Sequence, residues 1–202
     1  MKPMSQKELV KQIAAKIIRV MTVAPFMAAL MLTILLIVKP SVYGGGWHYG
    51  YAMLCLVVFP LLAYPTAALI PPLRRKGREG QRTMAIVFAV IGYVAGLVGS
   101  WLLGGARIEL LIFWTYLLSG ISIALSSFVF GVKASGHACG VSGPIAMMIY
   151  CLGLPYCLLY AILAFVFWAS VKMKRHTPVQ LIIGSAIPVV MMFVSIGLIR
   201  IF

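Results

Sequence analysis

The chain contains no aspartate, and its three acidic residues, Glu8, Glu79 and Glu109, lie far apart. The absence excludes an Asp-rich magnesium site and aspartyl-phosphate chemistry, and three scattered glutamates do not supply the carboxylate cage that hard cations prefer. None of the four cysteines belongs to a CxxC pair, so we predict neither zinc ligands nor disulfides. We therefore predict no metal site and no cofactor.

Charge is also scarce overall, at 10% of the 202 residues, whereas soluble domains carry about 25%. In its place the chain is 63% hydrophobic, with a mean hydropathy of +1.07. This composition predicts an integral membrane protein with one domain, residues 1–202, and no soluble domain. The predicted fold is all-α, a polytopic transmembrane bundle of six to seven helices.

The predicted elements are apolar stretches whose length is close to the roughly 20 residues that a spanning helix needs. Residues 1–17 form a basic amphipathic lead-in, and because no small-residue cleavage site follows, we expect an uncleaved first span. Basic or Gly-rich loops are predicted at 39–50 and 71–83, with Pro60 and Pro65 kinking the span between them. The predicted spans are 18–38, 51–70, 84–104, 108–131 and 178–201, with a hairpin of helices at 138–152 and 155–171.

The charges that are present are lopsided, with 17 Lys and Arg against three acids. The positive-inside rule predicts that the N-terminus, the 71–83 loop and Lys133, which are two predicted crossings apart, are cytoplasmic. The 172–176 cluster should lie on the same face, which requires an even number of crossings after His137 and favours the hairpin over one long kinked helix. We expect the membrane to be the plasma membrane. We expect these basic loops to face the anionic lipid bilayer rather than nucleic acid, and the sequence leaves the oligomeric state open.

Two histidines, His137 and His176, are predicted at helix ends on that same face. A high density of cations suits a bound oxyanion, and backbone N–H groups at a helix start add donors. Two histidines can serve as nucleophile and general acid, so these parts fit phosphoryl transfer to histidine and then to water. The candidate phosphate-binding residues around them are Lys133, Ser135, Gly136, Arg82, Arg78, Arg175 and Lys172.

Three segments resemble the signatures of the type-2 phosphatidic acid phosphatase superfamily. Lys133-Ala-Ser-Gly-His137 resembles the second signature, whose core is Ser-Gly-His. Lys172-x-Lys-Arg-His176-Thr-Pro-x-Gln-x-x-x-Gly184 resembles the third, and Arg78-Glu-Gly-Gln-Arg82 resembles the degenerate first signature of short prokaryotic members. The resemblance covers residues 74–200, a predicted phosphatase-like core that excludes the first two spans.

The resemblance implies a metal-independent lipid phosphatase. In it His176 would attack phosphorus to form a phosphohistidine, and His137 would protonate the leaving oxygen. Lys133, Ser135 and the other phosphate-binding candidates would hold the phosphate oxygens. The implied substrates are lipid phosphates or polyprenyl phosphates and diphosphates that enter sideways from the bilayer.

The chain departs from these signatures in three places. Ala169 and Ser170 stand where the third signature has a Ser-Arg pair, so Lys172 or Arg175 is the candidate replacement for that arginine. Gln180 stands where an acid orients the nucleophile, and the first signature lacks its usual Lys-to-Arg-Pro spacing. The departures keep open an alternative, a non-hydrolytic lipid-phosphate-binding protein or carrier on the same fold. A transporter fits less well, because charges within its spans would be expected.

Overall fold

A computed structural model describes residues 5–129, 131 and 133–201; the side chains of Arg78, of 127–129 and of residue 201 lie outside that description. All regular structure in the described residues is helical. Five helices are long and apolar enough to cross a membrane, or six if the bent pair at the N-terminus counts as one span. The predicted all-α membrane bundle is therefore confirmed, and the chain is an integral membrane protein.

The N-terminal segment forms helix α1 (Gln6–Met21) and helix α2 (Ala24–Val38). Ser5 caps α1 by accepting a bond from the Glu8 N–H, the start of a capping box. Pro25 stands in the first turn of α2, and because proline cannot continue a preceding helix, the chain bends by 52° between the two. The predicted boundary at residue 17 is thus wrong: the amphipathic helix continues to Met21.

The next segment contains α3 (Gly46–Met53), a π-helical turn at Leu54–Val58, α4 (Phe59–Leu69) and the short α5 (Pro71–Arg75). The predicted 39–50 loop is shorter than expected, because α3 already begins at Gly46. Pro60 lies in the first turn of α4, directly after the π-helical turn. Proline has no backbone N–H to donate, but the π-helical turn already interrupts the regular backbone hydrogen bonds here, so the missing donor is tolerated.

Helices α6 (Arg78–Leu102) and α7 (Arg107–Val129) follow as an antiparallel pair joined by a tight turn. The predicted 71–83 loop is wrong over most of its length, because α5 covers Pro71–Arg75 and α6 already begins at Arg78, so that only residues 76–77 lie between the helices. Glu79 in the first turn favours this early start, since a carboxylate complements the positive end of the helix dipole.

Helix α8 (Gly136–Leu152) lies at the centre of the bundle and packs against α2 and against α10 (Pro178–Ile201). Its length is about 26 Å at 1.5 Å per residue, short for a full span, yet most of its residues from Val141 to Met148 are buried. It ends at Gly153, whose φ of 102° favours glycine. A 3₁₀ segment (Leu154–Leu159) and α9 (Tyr160–Lys172) complete the predicted hairpin.

A buried polar cluster ties α3, α6 and α7 together at the far end from the basic loops. The Glu109 carboxylate accepts bonds from His48 Nδ1 at 3.0 Å, from Ser100 Oγ at 2.5 Å and from the Gly44 N–H at 3.3 Å. His48 and Glu109 are 2% and 1% exposed. His48 falls within the predicted 39–50 loop, whereas the structure places it on α3 and buries it in this helix-joining cluster.

Candidate active site

A cavity of about 590 Å³ opens between the helices at the end of the bundle that carries the basic segments. It extends along α6 from Gln81 to Tyr93, which is about 18 Å at 1.5 Å per residue. The cationic and imidazole side chains that line it come from four separate segments of the chain. They are Arg19, Arg82, Lys133, His137, Arg175 and His176.

The lining changes character with depth. All the cations and both histidines belong to helix ends or loops at the basic end, whereas the deeper residues are uncharged, such as Leu56, Val90 and Tyr116. Among the described residues, no carboxylate lines the cavity. A ligand with an anionic head and an apolar tail would match both parts.

His176 precedes α10 and is held by the first turn of that helix. Its Nδ1 lies 3.0 Å from Gln180 Oε1, which also accepts from the Thr177 N–H at 3.2 Å. The Gln180 N–H donates in return to Thr177 Oγ1 at 3.4 Å, so Thr177-Pro-Val-Gln180 is a capping box. The Gln180 atom that accepts from the Thr177 N–H is an amide oxygen, which has no proton to donate. The ring must therefore be the donor in the second bond, so Nδ1 of His176 carries the proton. Its Nε2 therefore presents a lone pair.

The electrostatic surroundings of His176 favour its neutral form. Burial lowers the pKa of His176 below its usual value, the Gln180 hydrogen bond raises it in part, and the charges of Arg19, Arg82 and Lys133 lower it again. A histidine kept neutral near pH 7 retains the lone pair that a nucleophile needs.

His137 stands in the first turn of α8 and is held from α1. Its Nε2 lies 3.0 Å from Thr22 Oγ1, and the Thr22 hydroxyl donates to the Ile18 carbonyl at 2.7 Å. Because the hydroxyl has only one proton to donate, Nε2 of His137 must be the donor to Thr22. The two histidines of the cavity thus have opposite tautomers, with Nδ1 unprotonated in neutral His137.

The Lys133–His137 segment is bonded directly to the start of α10. The Ser135 N–H donates to the Gln180 carbonyl at 3.0 Å, and a Cβ at Gly184 would come within 2.4 Å of the Ser135 carbonyl oxygen. Ser135 itself is fully buried, and its side chain accepts from the Ala138 N–H as the N-cap of α8. The backbone of Gly136 reaches the cavity, whereas Ser135 does not line it.

The other predicted phosphate-binding residues are divided. Arg82, Lys133 and Arg175 line the cavity. Lys172 lies outside the lining, and its ammonium bonds to Glu8 on α1 at 2.5 Å. The Arg78 side chain lies outside the described part of the structure, although α6 begins at that residue.

Sequence reasoning missed two residues, Arg19 and Thr22, because both lie before the segments that carry the signatures. Both fall at the start of the predicted first span, 18–38. A signal existed in the pattern: Arg19 interrupts an otherwise apolar stretch, Ile17-Ile18-Arg19-Val20-Met21, and a cation inside such a stretch usually marks a functional contact.

The described residues contain no group of three or more His, Cys, Asp or Glu side chains placed to hold a metal ion. Comparison with protein-family models, with curated proteins and with solved structures found no match to this chain.

Proposed function

We propose that the protein is a membrane-embedded lipid phosphatase that hydrolyses a lipid phosphate, or a polyprenyl phosphate or diphosphate, through a phosphohistidine on His176. One observation carries the proposal: a single cavity holds two histidines with opposite tautomers among four cations at one end and is apolar at the other. Cations that surround an oxyanion stabilise the charge that develops during phosphoryl transfer.

The first step is attack of His176 Nε2 on the substrate phosphorus. A nitrogen–phosphorus bond forms, the bond from phosphorus to the leaving oxygen breaks, and that oxygen takes a proton from His137. His137 takes up a proton from the monoprotonated substrate phosphate or from solvent when the substrate binds, because the negative charge of the phosphate favours the imidazolium, and this form carries protons on both nitrogens. Nε2–H can then stay on Thr22 while Nδ1–H is the proton donor.

The second step returns the enzyme to its starting state. Water gives a proton to His137, its oxygen bonds to phosphorus, and the nitrogen–phosphorus bond to His176 breaks. The released product is inorganic phosphate in both cases, and the lipid product is the alcohol from a monophosphate or the lipid monophosphate from a diphosphate. Lys133, Arg82 and Arg175 hold the phosphate oxygens through both steps, with the Gly136 N–H as a further donor.

The apolar depth of the cavity supports a lipid as substrate. The deeper lining of the cavity is uncharged and can take the start of an acyl or prenyl chain, and large apolar side chains are exposed on the outside of the bundle, among them Leu158 at 78% and Phe193 at 64%. The basic clusters favour the cytoplasmic side of the plasma membrane for this end of the bundle.

The proposal is tested by phosphate release from purified protein in lipid nanodiscs with EDTA present, using phosphatidic acid, phosphatidylglycerol phosphate and polyprenyl phosphates as substrates. The wild-type protein should release phosphate from at least one substrate, and His176→Ala should abolish that release. His137→Ala should reduce it by about 100-fold or more, the usual contribution of a general acid. The exposed Lys16→Ala is the control and should match wild type. Release that is undiminished in His176→Ala would refute the mechanism.

A second function, binding of a lipid phosphate without turnover, is favoured by Gln180. A neutral amide holds the His176 tautomer, but it stabilises an imidazolium less than a carboxylate does. A tightly bound lipid phosphate that copurifies with the protein and is never hydrolysed would identify the chain as a binding protein or carrier.

A further inference from the structure

Arg19 belongs to the last turn of α1 and lines the same cavity as both histidines. Its guanidinium Nη1 donates a hydrogen bond of 2.7 Å to the Oγ of Ser170 on α9. Ser170 is completely buried, so the acceptor has a fixed position. A guanidinium is planar with its donors in a rigid fork, and the bond to Ser170 therefore helps to orient the whole group.

The charge of Arg19 acts on the nucleophile. Arg19 is one of three cations, with Arg82 and Lys133, whose charges lower the pKa of His176. Both side chains line the same cavity, so the guanidinium and the imidazole face one shared space. Arg19 thus stands with the phosphate-binding candidates, although it belongs to an element outside the signature segments.

Helix α1 is held in this position by its packing along α9. At its N-terminal end, Glu8 accepts a bond from Lys172 at 2.5 Å, and at its C-terminal end Arg19 bonds to Ser170. These two contacts fix both ends of the helix against the same partner. In these contacts the ammonium of Lys172 bonds to Glu8, and the cation that bonds to Ser170 is the guanidinium of Arg19.

We propose that Arg19 binds a non-bridging oxygen of the substrate phosphate and stabilises the charge of the transition state, so that the N-terminal helix completes the active site. Ser170, the position where the resemblance places an arginine, supports this guanidinium from the neighbouring helix. The inference rests on the proposed phosphatase function for its kinetic consequences, but binding of the phosphate group tests it separately.

The test compares Arg19→Ala with wild type in two assays in nanodiscs. The first is phosphate release from the best lipid phosphate, and the second is equilibrium binding of its non-hydrolysable phosphonate analogue. Loss of one preorganised donor to a transition-state oxyanion costs about 100-fold or more in rate, so Arg19→Ala should lose about that much and should bind the phosphonate more weakly. Lys16→Ala removes an exposed cation from the same helix and should change neither result.

An arginine swap distinguishes a functional guanidinium from a merely structural one. Ser170→Arg in the Arg19→Ala background places a guanidinium where the original one met Ser170, and it should restore at least 10-fold of the lost rate. If that double variant fails to fold, Arg19→Lys and the addition of guanidinium ion to Arg19→Ala provide the comparison: the ion should rescue Arg19→Ala but not His176→Ala.

The outcomes separate the two proposals. Suppose that the wild type hydrolyses the substrate and that Arg19→Ala stays within threefold of it in rate and in phosphonate affinity. That result would overturn the role of Arg19 while leaving the phosphatase function intact. No turnover by wild type, with phosphonate binding that still depends on Arg19, would refute hydrolysis and support Arg19 as a phosphate-binding residue.

Discussion

The backbone N–H of Ser135 donates a 3.0 Å hydrogen bond to the carbonyl oxygen of Gln180. This bond joins the segment that carries His137 to the helix turn that holds His176, although the histidines are far apart in sequence. Gly184, one turn further along α10, permits the contact because a side chain there would collide with the Ser135 carbonyl. The relative position of the two histidines therefore depends on backbone packing as well as on the side chains around the cavity.

Gly184→Ala should separate the two segments. The new Cβ would come within 2.4 Å of the Ser135 oxygen, and a displacement near 1 Å in an active site can cost about 100-fold in rate. We therefore expect the rate of phosphate release to fall by about 10-fold or more, towards that 100-fold value. Gly197→Ala on the same helix meets nothing within 4 Å and should retain full activity. Equal rates in the two variants would contradict the proposed role of this contact.

Thr22→Val should impair the general acid without altering the cavity volume much. The valine removes the acceptor that holds Nε2–H of His137, so the ring loses its fixed tautomer, and we expect a rate loss of about 10- to 100-fold, part of what a general acid contributes. Thr22→Ser keeps the hydroxyl and should recover most of the rate. The matched control is Thr66→Val, because Thr66 makes the same bond to the carbonyl four residues earlier but lies away from the site. A Thr22→Val rate equal to that of Thr66→Val would remove Thr22 from the mechanism.

The pH profile should report His176 directly. The nucleophile must be neutral, and because burial lowers its pKa, the acid limb of kcat/KM in the wild type should lie below pH 6.5, the usual histidine value. Gln180→Glu places a carboxylate behind the ring, raises the imidazole pKa, and should move that limb upward by about one pH unit.

Gln12→Glu is the control for this profile, since it makes the same charge change at an exposed position of α1. Its acid limb should coincide with that of the wild type. An acid limb that stays in place in Gln180→Glu would show that the limb belongs to a group other than His176.

The Glu109 cluster should govern stability. Glu109→Ala leaves the donors of His48, Ser100 and Gly44 without their acceptor, and each unsatisfied buried group costs about 1–3 kcal/mol. We expect the free energy of unfolding to fall by about 3 kcal/mol or more, measured by denaturant titration in mixed micelles. Glu79→Ala, which removes an exposed carboxylate, should change stability little, and an equal effect of the two substitutions would contradict the role of the cluster.

The sequence predicted the bundle well because long apolar stretches leave few alternatives to spanning helices. It placed the Lys133–His137 and His176 segments at one level through the positive-inside rule, and in the structure these residues line one cavity. Helix boundaries were harder: Arg78 and Arg82 suggested a loop by charge alone, whereas the first turns of membrane helices can extend beyond the apolar region as charged segments.

The contributions of α1 could not be derived from periodicity. Arg19 meets Ser170 and Thr22 meets His137 only because α1 ends, bends before Pro25 and packs along α9, and those are tertiary relationships. Likewise, Ser135 has the motif position of a phosphate ligand, but the demand for an N-cap on α8 takes its hydroxyl. The position of Ser135 in the motif therefore did not predict its role, because that role depends on the start of α8.

The most direct test of the account is detection of the covalent intermediate. Wild-type protein in nanodiscs is mixed with a lipid phosphate substrate in the presence of EDTA, quenched in alkali within milliseconds to seconds, digested, and examined by mass spectrometry for an acid-labile phosphate. The account predicts a phosphate on His176 that disappears as substrate is exhausted. Rapid phosphate release with no phosphate on His176 at any time point would contradict it.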